Sequence, residues 1–276
     1  MHLFIFGMGY SAGVLAQRLR TRGWLVEGTG RGGTIAFADT GAVHAALGRA
    51  SHVLSSVPPA RDGADAVLAH YGAALRAGWI GYLSSTGVYG DCGGAWVDES
   101  ASVGLGRRTT RSQADLAWQA LGARVFRLPG IYGPGRSAFD RLRDGTARRL
   151  IAPGQVFSRI HVEDIAGGVI AGLAGSAGVY NLTDDFPCDQ NAVIEEAARL
   201  AGFAPPPLEP LASAGLSPMA LGFYAENRRV ANGKARRVLG WRPRYPTYRE
   251  GLRACNATTR PTSDSTAPPA LSKDQR

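Results

Sequence analysis

Hydrophobic positions along the chain fall into short blocks, and their spacing changes from block to block. Leu3 to Phe6 is a continuous apolar run of strand length, the pattern of a strand buried on both faces. Val14, Leu15 and Leu19 then recur at helical spacing, and the run stops at Gly23. Trp24 to Glu27, Val53 to Val57, Trp79 to Leu83 and Arg124 to Leu128 read as further strands. Between them, Ala64 to Ala77 and Ala114 to Leu121 read as helices, the second with Thr109 or Thr110 as its N-cap. Strand and helix alternate, which predicts an α/β protein with a parallel sheet covered on both faces. After Pro129 the texture shifts to short segments marked by glycine and proline, with helices such as Gln190 to Leu200 and Ile165 to Leu173, the latter capped by Asp164. Residues 254–276 are polar and rich in Pro, Ser and Thr, and are expected to form a disordered tail.

Composition narrows the chemistry. The chain has 276 residues, 45% hydrophobic, enough for a substantial core. The formal charge is +9, but the arginines are scattered and no run of about five Lys/Arg residues marks a nucleic-acid surface. The only lysines are Lys234 and Lys273, so 29 of the 31 basic residues are arginine. A guanidinium stays protonated near neutral pH, so no residue before position 234 supplies a lysine for proton exchange. Cys92, Cys188 and Cys255 are far apart, form neither a metal spacing nor a disulfide framework, and suit a reducing, cytoplasmic compartment. The N-terminus reads as a first strand, not a signal peptide, and no apolar window of about 18 residues suggests a membrane span.

Gly7-Met8-Gly9-Tyr10-Ser11-Ala12 matches G-x-G-x-x-G/A between a strand and a helix. Gly7 allows the tight turn, Gly9 lets a pyrophosphate approach the backbone, and the small Ala12 permits close helix packing. This is a dinucleotide-binding signature in a Rossmann-like context. Glu27 sits inside the second strand, too early to meet the ribose of NAD, and Arg31 occupies the position that would meet it. An arginine there suits a 2′-phosphate, so NADP is expected, with NAD as the alternative.

Four further stretches agree with one family: Tyr82-Leu-Ser-Ser-Thr-Gly-Val-Tyr-Gly-Asp91, Arg127-Leu-Pro-Gly-Ile-Tyr-Gly-Pro-Gly135, Ile160-His-Val-Glu-Asp-Ile165 and Ala235-Arg-Arg-Val-Leu-Gly-Trp-Arg-Pro243. With the glycine loop, they resemble the extended short-chain dehydrogenase/reductase family, the NAD(P)-dependent epimerase/dehydratase branch, over about residues 1–253. The resemblance implies a doubly wound Rossmann-like domain at 1–129 and a smaller substrate-binding lobe at 130–253, of which about 156–183 returns to the sheet. It implies a small-molecule substrate, a nucleotide sugar or another carbonyl compound, and pairing as a homodimer. Cofactor contacts would come from Gly7, Gly9, Tyr10, Ser11, Ala12, Arg31, Val57, Pro58, Arg111 and Pro129, and no metal is expected.

The family's Ser/Thr falls on Ser85, with Thr86 beside it. Its tyrosine acid and the lysine four residues later fall on Arg107 and Arg111, or on Thr109 and Gln113 in a shifted register. Neither register supplies the pair, so the chain resembles an atypical member. Tyr89, four residues after Ser85, is a substitute phenol; Tyr132, Arg136 and His161 are candidates to meet substrate, and the Arg107–Arg108 and Arg136–Arg141 groups to meet substrate phosphates. Two functions follow: an NADP-dependent oxidoreductase or epimerase/dehydratase, or a non-catalytic NADP-binding regulator or redox sensor.

Overall fold

A computed structural model describes residues 1–60, 62–104 and 109–259. In the first half the elements are β1 (His2–Phe6), α1 (Tyr10–Arg20), β2 (Leu25–Gly28), α2 (Thr40–Arg49), β3 (His52–Ser55), α3 (Ala66–Tyr71), β4 (Trp79–Ser85), β5 (Trp96–Val97), α4 (Thr109–Ala120) and β6 (Arg124–Leu128). The second half follows with β7 (Gly130–Tyr132), α5 (Ala138–Arg143), β8 (Arg149–Ile151), β9 (Arg159–His161), α6 (Val162–Gly172), β10 (Gly178–Asn181) and α7 (Gln190–Ala201). It ends with β11 (Leu208–Pro210), α8 (Pro218–Tyr224), β12 (Arg229–Val230), α9 (Gly233–Leu239) and α10 (Tyr248–Thr259).

Six strands form one parallel sheet in the order β10-β6-β4-β3-β1-β2. The period-2 alternation of β1 explains its unbroken apolar run. Leu3 and Ile5 face one layer, with α1 and α6; Phe4 and Phe6 face the other, with α2, α3 and α4. Strand order reverses between β1 and β3, which opens a crevice at their carboxyl ends. A third cluster, built from Phe139, Val193, Ala197, Tyr248 and Leu252, joins α5, α7 and α10.

Several local expectations are corrected. The 64–77 helix is shorter, with α3 stopping at Tyr71 before a 3-10 turn over Gly72–Ala74. Thr109 and Thr110 lie inside α4 rather than capping it. Asp164 does not cap α6: the ring of His161 accepts from the Glu163 amide at 3.2 Å, and Asp164 instead accepts the Arg244 and Tyr245 amides. Residues 254–259 are not tail but the end of α10, where Cys255 is 1% exposed; the rest of the expected tail lies outside the described residues.

Candidate functional site

A single cleft of about 1310 Å³ runs from the carboxyl ends of β1, β3 and β4 into the smaller lobe. That exceeds the volume of one drug-sized ligand site, about 300 to 1,000 Å³. Its walls bring together most of the residues singled out in the sequence: Gly7, Gly9, Tyr10, Ser11, Arg31, Val57, Pro58, Ser85, Thr86, Arg111, Pro129, Tyr132 and Arg136.

The first wall is built for an anion. Gly7 turns with φ +79°, and a Cβ there would stand 2.8 Å from Val57 Cγ2. Gly30, at φ +94°, closes against the same turn, where a Cβ would meet the Met8 amide nitrogen at 2.9 Å. Thr29 locks the turn, accepting the Met8 amide on its carbonyl and the Gly7 amide on its hydroxyl. In front of Gly9 the space is open, the nearest protein atom to a Cβ being 3.9 Å away. α1 begins there with no side-chain cap and no acidic residue in its first turn. Its first-turn amides therefore lack an intrahelical acceptor and face the cleft with the positive end of the helix dipole. Ala12 is buried and packs inward, as close helix packing requires.

At the end of β2, Glu27 is engaged away from the cleft by His2 at 2.8 Å and Arg49 at 3.3 Å. Arg31 is exposed and lines the cleft.

Across the sheet, Ser85 ends β4 on the cleft wall, and its hydroxyl accepts from the Gly87 amide at 3.1 Å. Beneath it runs a buried polar chain. Ser84 Oγ donates to Asp115 at 2.5 Å, and Arg127 grips both Asp115 oxygens at 2.7 and 3.0 Å. Arg127 also donates to the Tyr89 hydroxyl, which donates to Asn181 at 2.8 Å. Tyr89 is thus 2% exposed, tied into this network and off the cleft wall, a correction to its place as a substitute acid. His161 is likewise 2% exposed and off the wall, sandwiched by the rings of Tyr132 and Tyr245. Burial, with Arg244 nearby, lowers its pKa to about 4.

The remaining phenols of the wall hold their protons tightly. Tyr10 is raised to about 12, chiefly by burial, and donates to the Pro134 carbonyl. Tyr132 turns its ring to the cleft but its hydroxyl toward Gly251 of α10, and burial raises it strongly. Tyr224 and Tyr248 are also raised by burial. The Arg127–Asp115–Tyr89 chain and the Phe157–Tyr224 wall escaped the sequence reading because their partners come from distant elements. The only local signal was polar residues on otherwise apolar strand and helix faces.

No family model matches the chain. A solved structure of a functionally unknown conserved protein from Silicibacter pomeroyi DSS is 42% identical, with a TM-score of 0.83, over 93% of this chain and 98% of that one. The human epimerase family protein SDR39U1 with NADPH superposes at a TM-score of 0.73, 18% identical, over 93% of this chain and 99% of that one. A 3-diazoavenalumate denitrifying reductase from Streptomyces sp is 34% identical over 163 residues. The chain therefore has the fold of NAD(P)-dependent epimerase/dehydratase structures. The match to the Streptomyces reductase spans 52% of this chain and 52% of that protein, about half of its length.

Of the two registers in which the relay could fall, the first begins at position 107, which lies outside the described residues. Arg111, at the lysine position, lines the cleft. Its guanidinium lies against the Tyr82 hydroxyl, which burial raises to about 12 although Arg111 pulls it down. Among the described residues no group of His, Cys, Asp or Glu is placed to hold a metal ion, and no helix is long and apolar enough to cross a membrane.

Proposed function

We propose that the chain is an NADP(H)-dependent reductase that delivers hydride to an acceptor needing no proton from a tyrosine. One observation carries the reading. A dinucleotide cradle and a strand-end serine share one cleft in which every phenol with a resolved shift is pushed toward its protonated form. The first-turn amides of α1 would hold the pyrophosphate, Arg31 the 2′-phosphate, and Arg111 would lie beside the nicotinamide ribose. Bound NADPH would supply a hydride ion, which suffices for an acceptor that is already cationic, such as the carbon of an aryldiazonium: the C–H bond forms as the C–N bond breaks and dinitrogen leaves with that bonding pair, atoms and charge balancing without a proton. Ser85 would orient the acceptor, while the apolar floor from Leu83 and Leu128 keeps water from the transfer path.

The name of the Streptomyces relative, a reductase of a diazo-substituted acid anion, supports this reading. So does the absence of a Tyr and a Lys from the relay positions in either register.

Titration with NADPH and NADH, followed by nicotinamide fluorescence on wild type and Arg31→Ala, tests the cofactor assignment. NADPH is expected to bind more tightly than NADH, and Arg31→Ala to lose about 1.5 to 3 kcal/mol for NADPH while sparing NADH. Equal loss for both removes Arg31 from the 2′-phosphate. Turnover is then sought on aryl diazonium salts. Tight NADPH binding with no consumption of it by any such acceptor favours the regulator reading.

A further inference from the structure

The far half of the cleft holds a charge that the protein does not neutralise. Arg141, in the last turn of α5, faces the cleft beside Arg159 and Tyr224. Its side chain is open to the cleft, yet the surrounding protein, with the charge of Arg159 next to it, presses its pKa below the ordinary value. It has no carboxylate partner among the described residues. The other arginines of this wall are satisfied. Arg148 pairs with Glu209 at 2.9 Å and Arg228 with Glu226 at 3.0 Å. Arg159 is 6% exposed and donates to the carbonyls of Phe157, Cys188 and Asp189 and to Gln190 Oε1. All of these acceptors are neutral, so none of them offsets the Arg159 charge. Of the carboxylates on the wall, Asp140 is bound to the Ser137 amide and hydroxyl, and exposed Asp144 forms no ion pair with Arg141.

Two like charges in one hollow, one of them with its donors unused, call for an anion. One free guanidinium matches a monoanion with two oxygens in a plane, which its fork meets bidentately. Arg136 lies elsewhere on the cleft wall, its guanidinium 5.9 Å over the Tyr10 ring. The same wall carries Phe157 and Tyr224, edge to face at 5.4 Å and 84°. A third ring extends such an arrangement at little cost in ordering.

We infer that Arg141 binds the carboxylate of a small aromatic acid whose ring packs on Phe157 and Tyr224, so that the substrate class of the cleft is an aryl carboxylate rather than a nucleotide sugar. This deepens the reductase reading and rests on it for calling the ligand a substrate; the binding itself does not.

The experiment is calorimetric titration of the full chain, with and without NADP, using 4-hydroxycinnamate, its methyl ester, inorganic phosphate and UDP-glucose. The acid is expected to bind and the ester to bind about tenfold or more weakly. Arg141→Gln should abolish that difference by weakening the acid alone, and Phe157→Ala should weaken acid and ester together. Arg141→Gln should leave NADPH affinity unchanged, which also shows that the variant is folded. If NADPH fails to bind while the acid still distinguishes Arg141→Gln from wild type, the reductase reading falls and the carboxylate site stands. Failure of the acid to bind, equal binding of acid and ester, or a UDP-glucose affinity that depends on Arg141 more than the acid's does overturns the inference. Phosphate displacing the acid at comparable concentration overturns the carboxylate assignment as well.

Discussion

The buried Asp115–Arg127 pair offers the sharpest test of how the sheet holds the site. Asp115 is 0% exposed and Arg127 2%. Burial opposes the arginine's charge, but two hydrogen bonds to Asp115 and the contact with Tyr89 outweigh it and hold its pKa above the ordinary value. Asp115→Leu leaves a buried guanidinium with only the Tyr89 hydroxyl, 3.0 Å away, as acceptor. Arg127→Met leaves a buried carboxylate with Ser84 and Gln119 as its only donors. Removing one member of such a pair costs about 3 to 5 kcal/mol, because the other keeps its desolvation penalty. The double variant removes both charges and fills the space with apolar atoms, so it should cost far less than the sum. Urea unfolding of the four proteins measures the cycle, and a coupling energy of at least about 2 kcal/mol is expected. Additive losses, or single losses below about 1 kcal/mol each, would show that water reaches the pair and that it does not brace the β4–β6 strand ends.

Two further predictions concern the smaller lobe. Burial, with Asp185 and Asp164 adding to it against Arg159, raises the Asp184 carboxyl to about 8, so it is protonated in the folded chain near neutrality and ionised in the unfolded chain. Folding thus takes up a proton, and this group's contribution is full below about pH 4 and lost as pH rises through about 8, at up to about 1.4 kcal/mol per unit. Asp184→Asn should flatten the fall in thermal midpoint between about pH 6 and pH 8, a range above the region where His161, with its depressed pKa, adds the opposite slope; an unchanged profile refutes the assignment. Gly251→Ala places a Cβ 1.9 Å from the Tyr132 hydroxyl oxygen, whose ring is held by His161. It should cost about 1 to 3 kcal/mol in urea unfolding, and a neutral effect would show that the Tyr132 ring is free to turn.

The parts legible in the sequence are those whose cause is local. β1 is apolar throughout because both of its faces are covered, and its glycine turn declares itself within six residues. Residues 254–259 belong to α10 rather than to a tail, although their pattern is present in the sequence. Tyr248, Leu252 and Cys255 stand three and four apart and all face inward, but the surrounding Thr, Asn and Pro masked that stripe. The start of α6 was misjudged because the cap is a histidine ring rather than the usual Asp, Ser or Thr, while the plausible Asp164 is spent on the Arg244 and Tyr245 amides. In the site, the strand-end serine could be placed from its motif. The demotion of Tyr89 could not: it depends on Arg127 and Asn181, which are 38 and 92 residues away and meet it only when β10 joins the sheet beside β6.

These placements bear on how the fold works without its relay. A general acid is effective when its pKa lies near the working pH. Lysine at position 111 would serve partly by lowering a neighbouring phenol; arginine keeps that charge but sits beside Tyr82, whose burial still leaves it at about 12. Tyr10 is at about 12 as well, and Tyr132 and Tyr224 are raised. A cleft with such phenols selects for acceptors that take a hydride and need no proton, and it must position them by charge and shape alone. That requirement places the demand on the far wall, where Arg141 and the Phe157–Tyr224 pair stand. Substrate orientation should therefore depend on Arg141 as the relay would have depended on its tyrosine. If the reading holds, a carbonyl acceptor should turn over more slowly than an aryldiazonium one, because the described phenols, raised as they are, are weak acids near neutral pH.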